Sequence, residues 1–176
     1  MENLNLETKR LQLSPFIPED SKVFQLLNGD AFIRKYLWGD EIIDAMLADD
    51  IMEQNIRHFE DDQFGLWKIQ LKDGETLMGY VGLWYFVDEP QPQLLYALLQ
   101  PFTEKGYATE ASSAIVDYAF KRLGLQYLIA ATDEPHMASQ RVAKRLGMSF
   151  MEKRIENEKP MVFFKLEKHQ GNKILV

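Results

Sequence analysis

The sequence of 176 residues contains no cysteine. Disulfide bonds, a thiol nucleophile and a thiolate metal site are therefore excluded, and the composition is compatible with a reducing compartment. No apolar run approaches the roughly 20 residues that a membrane-spanning helix needs. The acidic start MENLNLETKR is also unlike a signal peptide. We therefore expect a cytoplasmic protein that does not contact a membrane.

Positive charge is in deficit as well. The 27 acidic residues outnumber the 20 lysines and arginines, which gives a formal net charge of -7. Nucleic acids bind proteins largely through phosphate contacts with basic side chains, so this balance argues against nucleic-acid binding. It is compatible with a cationic or amine substrate. The sequence has no repeat and neither of the common glycine-rich nucleotide motifs. It also lacks the residue spacing of a metal-binding motif, so we expect no metal site.

The length and composition fit one globular domain, because a chain of about 150 residues already buries roughly two thirds of its unfolded surface. We assign the domain to residues 1–168 and a C-terminal tail to 169–176. Apolar periodicity and turn residues indicate a mixed α/β chain. The predicted strands are 8–14, 64–71, 77–87, 93–99, 126–132, 151–156 and 161–167. Two of the main predicted helices cover about 19–27 and 41–60, and two others begin near residues 108 and 139.

The stretch from Tyr96 to Phe120 organises the rest of the chain. An apolar strand ends near Pro101, which cannot donate to a sheet, and an amphipathic helix begins near Ala108. Between them lies Gly106. A glycine there allows close approach of a ligand to the first helix amides, which have no partner inside the helix. This pattern favours a phosphate site, although an ordinary strand-to-helix turn would contain a similar glycine.

Two motifs carry a resemblance to a known family. Residues 105–111, KGYATEA, resemble the acetyl-CoA loop of the GNAT superfamily of N-acetyltransferases, especially its RimJ/RimL branch. The segment from Pro135 to Gly147 is similar to the second GNAT signature, with a serine at Ser139. The sequence departs from the family pattern at several positions. Among them, Glu104 replaces a glycine, and His136 stands where the family prefers asparagine. The resemblance covers nearly the whole chain.

This resemblance implies a GNAT fold, with a central curved mixed sheet of about seven strands and helices on both faces. It implies transfer of the acetyl group of acetyl-CoA to a primary amine, which is a protein N-terminus or a small molecule, by a monomer or homodimer. Pantetheine would enter between strands 96–99 and 126–132. The coenzyme-binding residues would be Leu98, Leu99, Glu104, Lys105, Gly106, Tyr107, Ala108, Thr109 and His136.

The chemistry requires groups that remove a proton from the amine, stabilise an oxyanion and protonate the leaving thiolate. Ser139 stands where the RimJ/RimL branch is proposed to have its general acid, although a serine there also suits a helix cap. A base acting through water could be Glu89, Glu134 or Asp133, and the sequence does not select among them.

Two further points stay open in the sequence. Tyr36, Trp38 and His58 lie in the region that covers the acceptor pocket in the superfamily, but core packing or a surface position explains each of them more simply. The departures at Glu104 and His136 also leave a second function open, that of a non-catalytic or weakly active acyl-CoA-binding regulatory module.

Overall fold

The computed structural model describes residues 4–72, 74, 76–86 and 88–168. In this part the chain forms eight strands and five α-helices, which confirms the mixed α/β class. The predicted tail, 169–176, lies outside the described residues, so the boundary at 168 stays a prediction. The elements are β1 (Leu6–Glu7), β2 (Leu11–Pro15), α1 (Ser21–Gly29), α2 (Ala31–Leu37), α3 (Ala45–Asp61), β3 (Leu66–Leu71), β4 (Leu77–Trp84), β5 (Gln93–Leu98), α4 (Tyr107–Lys121), β6 (Tyr127–Asp133), α5 (Met137–Arg145), β7 (Ser149–Glu156) and β8 (Lys159–Glu167).

The strands form two sheets instead of the single central sheet that we expected. Strands β1 to β5 pair antiparallel in chain order, and a second antiparallel sheet has the order β6, β8, β7. One strand more than the predicted seven arises because Thr8 N donates to Leu11 O at 3.0 Å. The turn separates β2, which corresponds to the predicted first strand, from β1, a short strand that precedes the predicted one.

Helices cover both faces of the five-stranded sheet, as expected for the fold. On one face α4 packs Ile115 and Ala119 into a buried cluster that includes Trp67 and Val81. On the other face, helices α1 to α3 contribute a second cluster in which Phe24 and Met52 pack with Tyr80. The sheet is therefore apolar on both sides, and only its edges are available to a ligand.

Local sequence signals explain where the helices begin. Asp30 caps α2 by accepting hydrogen bonds from Phe32 N and Ile33 N. Asp44 caps α3 by accepting from Leu47 N at 2.8 Å, so this helix begins at Ala45 and not near residue 41 as the apolar pattern predicted. An aspartate at this position satisfies an amide that the helix itself leaves free.

The glycines of β4 mark a close approach between backbones, as predicted. A Cβ atom on Gly79 would lie 2.0 Å from Ala97 O and 2.8 Å from Leu98 Cα. Only glycine therefore allows β5 to lie this close to β4 at its C-terminal end. This contact fixes the edge of β5 next to the site described below.

Candidate active site

The two sheets separate between β5 and β6, and a cavity of about 820 Å³ opens there. Strands β5 and β6 lie side by side, but neither pairs with the other within the described part of the chain. The lining consists of residues 94–98 of β5, residues 103, 104, 106, 108 and 109 around the start of α4, residues 131–133 of β6, several residues of α5, residues 32, 33, 36–39 and 41 in and after α2, Phe86, and residues 156, 157, 159 and 161 of the β7–β8 hairpin.

The N-terminus of α4 faces this cavity with unpaired polar groups. Gly106 precedes the helix with a φ of 81°, a left-handed conformation, and no side chain caps the helix. The first helical hydrogen bond runs from Glu110 N to Gly106 O at 3.0 Å, so the amides of Tyr107, Ala108 and Thr109 have no partner inside the helix. The hydroxyl of Thr109 is also buried without a partner. An anion in the cavity would satisfy these donors, so the residues present fit a diphosphate.

A residue from the first hairpin holds this loop, and no local sequence pattern indicates it. Arg10 Nη1 donates to Lys105 O at 3.1 Å, and Arg10 Nε donates to Glu110 Oε2 at 2.6 Å. The guanidinium carbon lies 4.3 Å from the centre of the Tyr107 ring. Because Arg10 and Lys105 are 95 residues apart, no spacing pattern within the loop could have predicted this contact.

Glu110 completes the same network. Its carboxylate also accepts hydrogen bonds from Thr8 Oγ1 at 2.6 Å and Arg10 N at 2.8 Å. Burial alone would raise the pKa of Glu110, but the hydrogen bonds from Thr8 and Arg10 outweigh it and hold the pKa below its ordinary value. The start of α4 is therefore attached to the β1–β2 turn by a charged group.

Glu104, the departure from the family loop pattern, is exposed and has a φ of 61°. Its carboxylate lies 3.7 Å from Arg141 Nη2 in α5. The added negative charge is thus accompanied by a positive one across the cavity mouth. Both side chains are exposed, so the pair contributes little to stability.

The free edge of β5 presents backbone donors to the cavity. Leu99 N donates to Met78 O at 2.9 Å, and Leu98 lies opposite Gly79 in the β4–β5 register. Amides of alternate residues donate to the partner in an antiparallel pair, and the others point away from it. The Leu98 amide therefore points to the side of β5 that has no partner strand.

Ser139 pairs with a tyrosine on the opposite wall. It lies in the first turn of α5 and is 8% exposed. Its hydroxyl donates to Tyr96 Oη at 3.0 Å, and Tyr96 Oη donates to the Ser139 carbonyl oxygen at 2.9 Å. Burial raises the pKa of Tyr96 to about 12, against a smaller lowering by the Ser139 hydrogen bond. Both residues line the cavity.

His136, at the start of α5, links that helix with α2. Its ring stacks on Tyr36 with centroids 3.6 Å apart, and Nδ1 lies 3.3 Å from Thr132 Oγ1. Burial, together with the charges of Lys35 and Arg141, lowers the pKa of His136 to about 4. The imidazole is therefore neutral near pH 7 and packs as an aromatic ring.

The acidic residues named from the sequence occupy different positions. Glu89 Oε1 accepts from Arg154 at 2.8 Å, and Glu134 Oε1 accepts from Lys153 at 2.7 Å. Of the acids considered as bases, Asp133 lines the cavity, whereas the described side chains of Glu89 and Glu134 lie outside the lining.

The cavity brings together most, but not all, of the residues predicted to bind or react. It includes Leu98, Glu104, Gly106, Ala108, Thr109, His136 and Ser139 and leaves out Leu99, Lys105 and Tyr107. Tyr36 and Trp38 line it too, whereas His58 stacks on Phe64 outside it.

No group of three or more histidine, cysteine, aspartate or glutamate residues in the described part of the chain is arranged to hold a metal ion. None of the helices described there combines the length and apolar character needed to cross a membrane.

Comparison with known proteins gives consistent matches. Residues 10–149 match the family described as Acetyltransferase (GNAT) domain. The chain is 25% identical over 145 residues, or 82% of each chain, to the uncharacterized N-acetyltransferase YnaD of Bacillus subtilis (strain 168). A solved acetyltransferase from Agrobacterium tumefaciens (strain C58) superposes with a TM-score of 0.78 at 21% identity, covering 93% of this chain and 94% of that one. RimL, a ribosomal L7/L12 alpha-N-protein acetyltransferase solved in complex with coenzyme A, superposes with a TM-score of 0.78 at 14% identity, covering 93% and 97%.

Proposed function

The chain belongs to the GNAT family of acetyltransferases, and on that premise we propose that it transfers the acetyl group of acetyl-CoA to a primary amine. The amine is a protein N-terminus or a small molecule, and the chain is of the RimJ/RimL type. Acetyl-CoA supplies an activated thioester when it is bound. The protein's own groups must bind it, orient it and move protons.

The observation that carries the proposal is the gap between β5 and β6. The cavity meets the start of α4, where amides without a helical partner and the buried Thr109 hydroxyl suit a diphosphate. Its lining also includes Leu98, whose amide has no partner strand, and Ser139. A ligand that combines a diphosphate with a peptide-like arm matches this set of donors.

The roles of the residues follow from their positions. The α4 amides and Thr109 bind phosphate, and Glu104, Lys105 and Tyr107 form the loop that presents them. The Leu98 amide donates to the thioester oxygen, where negative charge develops during attack. Ser139 protonates the leaving sulfur.

Asp133 is the base that we propose. It lies at the end of β6 on the cavity wall, whereas Glu89 and Glu134 each form an ion pair with a basic side chain. Asp133→Asn should lower kcat/KM for the amine by about tenfold or more. Glu134→Gln, one residue further along, is the matched control and should stay within about twofold. Equal losses in the two variants would contradict the assignment.

The direct test of acetyl transfer is thiol release from acetyl-CoA over a panel of acceptors. The panel should pair short peptides with free and with blocked N-termini, and add small aliphatic amines and amino acids. Ser139→Ala should lower kcat by about a hundredfold, with the dissociation constant of coenzyme A little changed, because the hydroxyl acts on the reacting atoms. Ser149→Ala, an exposed serine on β7, is the control and should retain full turnover.

Binding has to be measured separately. Coenzyme A should raise the unfolding temperature, since a ligand that binds only the folded state stabilises it. Such a shift without thiol release on any amine would contradict acetyl transfer and favour an acyl-CoA-binding module. The absence of a shift would contradict both functions.

A further inference from the structure

The hydroxyl pair of Tyr96 and Ser139 has a second arrangement that needs no movement of heavy atoms. Tyr96 Oη lies 2.9 Å from the Ser139 carbonyl oxygen and 3.0 Å from Ser139 Oγ, so its proton can point at either. In the arrangement described above, both hydroxyl protons are used within the pair. If Tyr96 donates to Ser139 Oγ instead, the Ser139 proton is free to point into the cavity.

We propose that Tyr96 is the positioning residue for proton transfer to the leaving sulfur, and that it acts by donating a hydrogen bond to Ser139 Oγ. This inference rests on the proposed role of Ser139. During the transfer the Oγ–H bond breaks and an S–H bond forms. The hydrogen bond from Tyr96 stabilises the charge left on Oγ until that oxygen takes up the proton which the attacking amine has lost.

Three features of the site support this role. Tyr96 and the oxyanion donor Leu98 belong to the same strand, two residues apart, and both line the cavity. The Tyr96 ring is partly buried and packs against the cluster that includes Trp67 and Val81, which holds its hydroxyl in place. A serine hydroxyl alone is a weak acid, and a hydrogen bond accepted by its oxygen strengthens it as a donor.

Burial also decides which proton moves. Because burial raises the pKa of Tyr96 to about 12, the phenol keeps its proton at neutral pH and acts as a hydrogen-bond donor. The tyrosine therefore supports the serine without becoming charged itself.

A double-mutant cycle tests the coupling. Tyr96→Phe should lower kcat by about tenfold, with the KM for acetyl-CoA within about twofold. In the Ser139→Ala background the same change should have no further effect, because the Ser139 hydroxyl through which Tyr96 acts is then absent. Equal losses in both backgrounds would overturn the inference and indicate a packing role. Tyr127→Phe, at the start of β6, is the matched control.

A second measurement does not depend on turnover. The thiol pKa of bound coenzyme A can be followed by thiolate absorbance, and a polarised hydroxyl should lower it. Tyr96→Phe and Ser139→Ala should each raise this pKa relative to wild type, whereas Tyr127→Phe should not. An unchanged thiol pKa in Tyr96→Phe would overturn the inference. If Ser139→Ala turns over at the wild-type rate, the proposed role of Ser139 fails first, and the two failures are thus distinguishable.

Discussion

Replacing Glu110 by glutamine tests whether the β1–β2 turn supports the loop before α4, residues 103–106, which we propose binds the coenzyme. The carboxylate accepts three hydrogen bonds, from Thr8 Oγ1, Arg10 N and Arg10 Nε. Glutamine keeps the shape and one acceptor oxygen, but it places an NH₂ group opposite the Arg10 guanidinium. Two donors then face each other, and the charge pair is lost.

The expected loss of stability depends on how exposed the Arg10 side chain is. Hydrogen bonds to charged groups contribute about 1.5–3 kcal/mol each, but the Arg10 side chain is 42% exposed, so solvent screens the ion pair. We expect a loss of about 1–2 kcal/mol in the free energy of unfolding, or roughly 3–6 °C for a chain of this size. Glu53→Gln is the control, because its pair with Arg57 spans 3.4 Å and both side chains are more than 60% exposed.

In the Glu110→Gln protein the affinity for coenzyme A should fall together with the stability. Without the carboxylate, Arg10 is held less firmly against Lys105 O, and the loop that presents the α4 amides becomes less ordered. The dissociation constant of coenzyme A, measured by titration calorimetry, should rise by about three- to tenfold, which corresponds to up to about 1.4 kcal/mol. A Glu110→Gln protein that loses no more stability or affinity than Glu53→Gln would refute the reasoning.

The pH dependence gives an independent check. The pKa of Glu110 is lower in the folded protein than in the unfolded chain, so the unfolded state binds the proton first as pH falls. Its contribution to stability is therefore complete above the ordinary glutamate pKa and decreases below it. The stability difference between wild type and Glu110→Gln should be largest near pH 7 and should shrink below about pH 4.5.

Three other variants test neighbouring parts of the site. Gly106→Ala forces a side chain into a left-handed conformation and should cost about 1–2 kcal/mol, measured by urea unfolding, whereas Gly29→Ala, with no atom within 4 Å of the added Cβ, should cost nothing. Gly79→Ala places a Cβ 2.0 Å from Ala97 O and should abolish coenzyme binding with a loss of about 3 kcal/mol or more; wild-type affinity would contradict the backbone approach. Lowering the pH from 7 to 4 should destabilise wild type by about 1–2 kcal/mol more than His136→Asn, because the unfolded chain protonates His136 near pH 6.5 and the folded one only near its pKa of about 4. An NMR titration of His136 with a midpoint above 6 would refute this.

The sequence predicted those features that depend on neighbouring residues. The glycine at Gly106, the beginning of α4 and the polar first turn around Ser139 all follow from residue type and apolar spacing over a few positions. Such signals act within one or two helical turns. They placed most elements correctly, and they identified the loop that meets the cavity.

Contacts between segments that are distant in sequence could not be predicted from such local signals. Arg10 and Glu110 are 100 residues apart, and Tyr96 and Ser139 are 43 apart, so each pair depends on how the sheets and helices assemble. For the same reason the sequence could not show that Glu89 and Glu134 pair with Arg154 and Lys153. Ser139 could therefore be proposed as the general acid from the sequence, whereas its partner Tyr96 and the choice of Asp133 as the base required the structure.

The division into two sheets also bears on solubility. An unpaired strand edge can recruit strands from other molecules and promote aggregation. Of the four edges in the described residues, β1 has only two residues, and β7 carries Glu152, Lys153 and Arg154. The other two, β5 and β6, face each other across the cavity, where a second protein's sheet cannot easily reach them. The molecule can thus keep backbone donors available to a small ligand without offering them to its neighbours in a crowded solution.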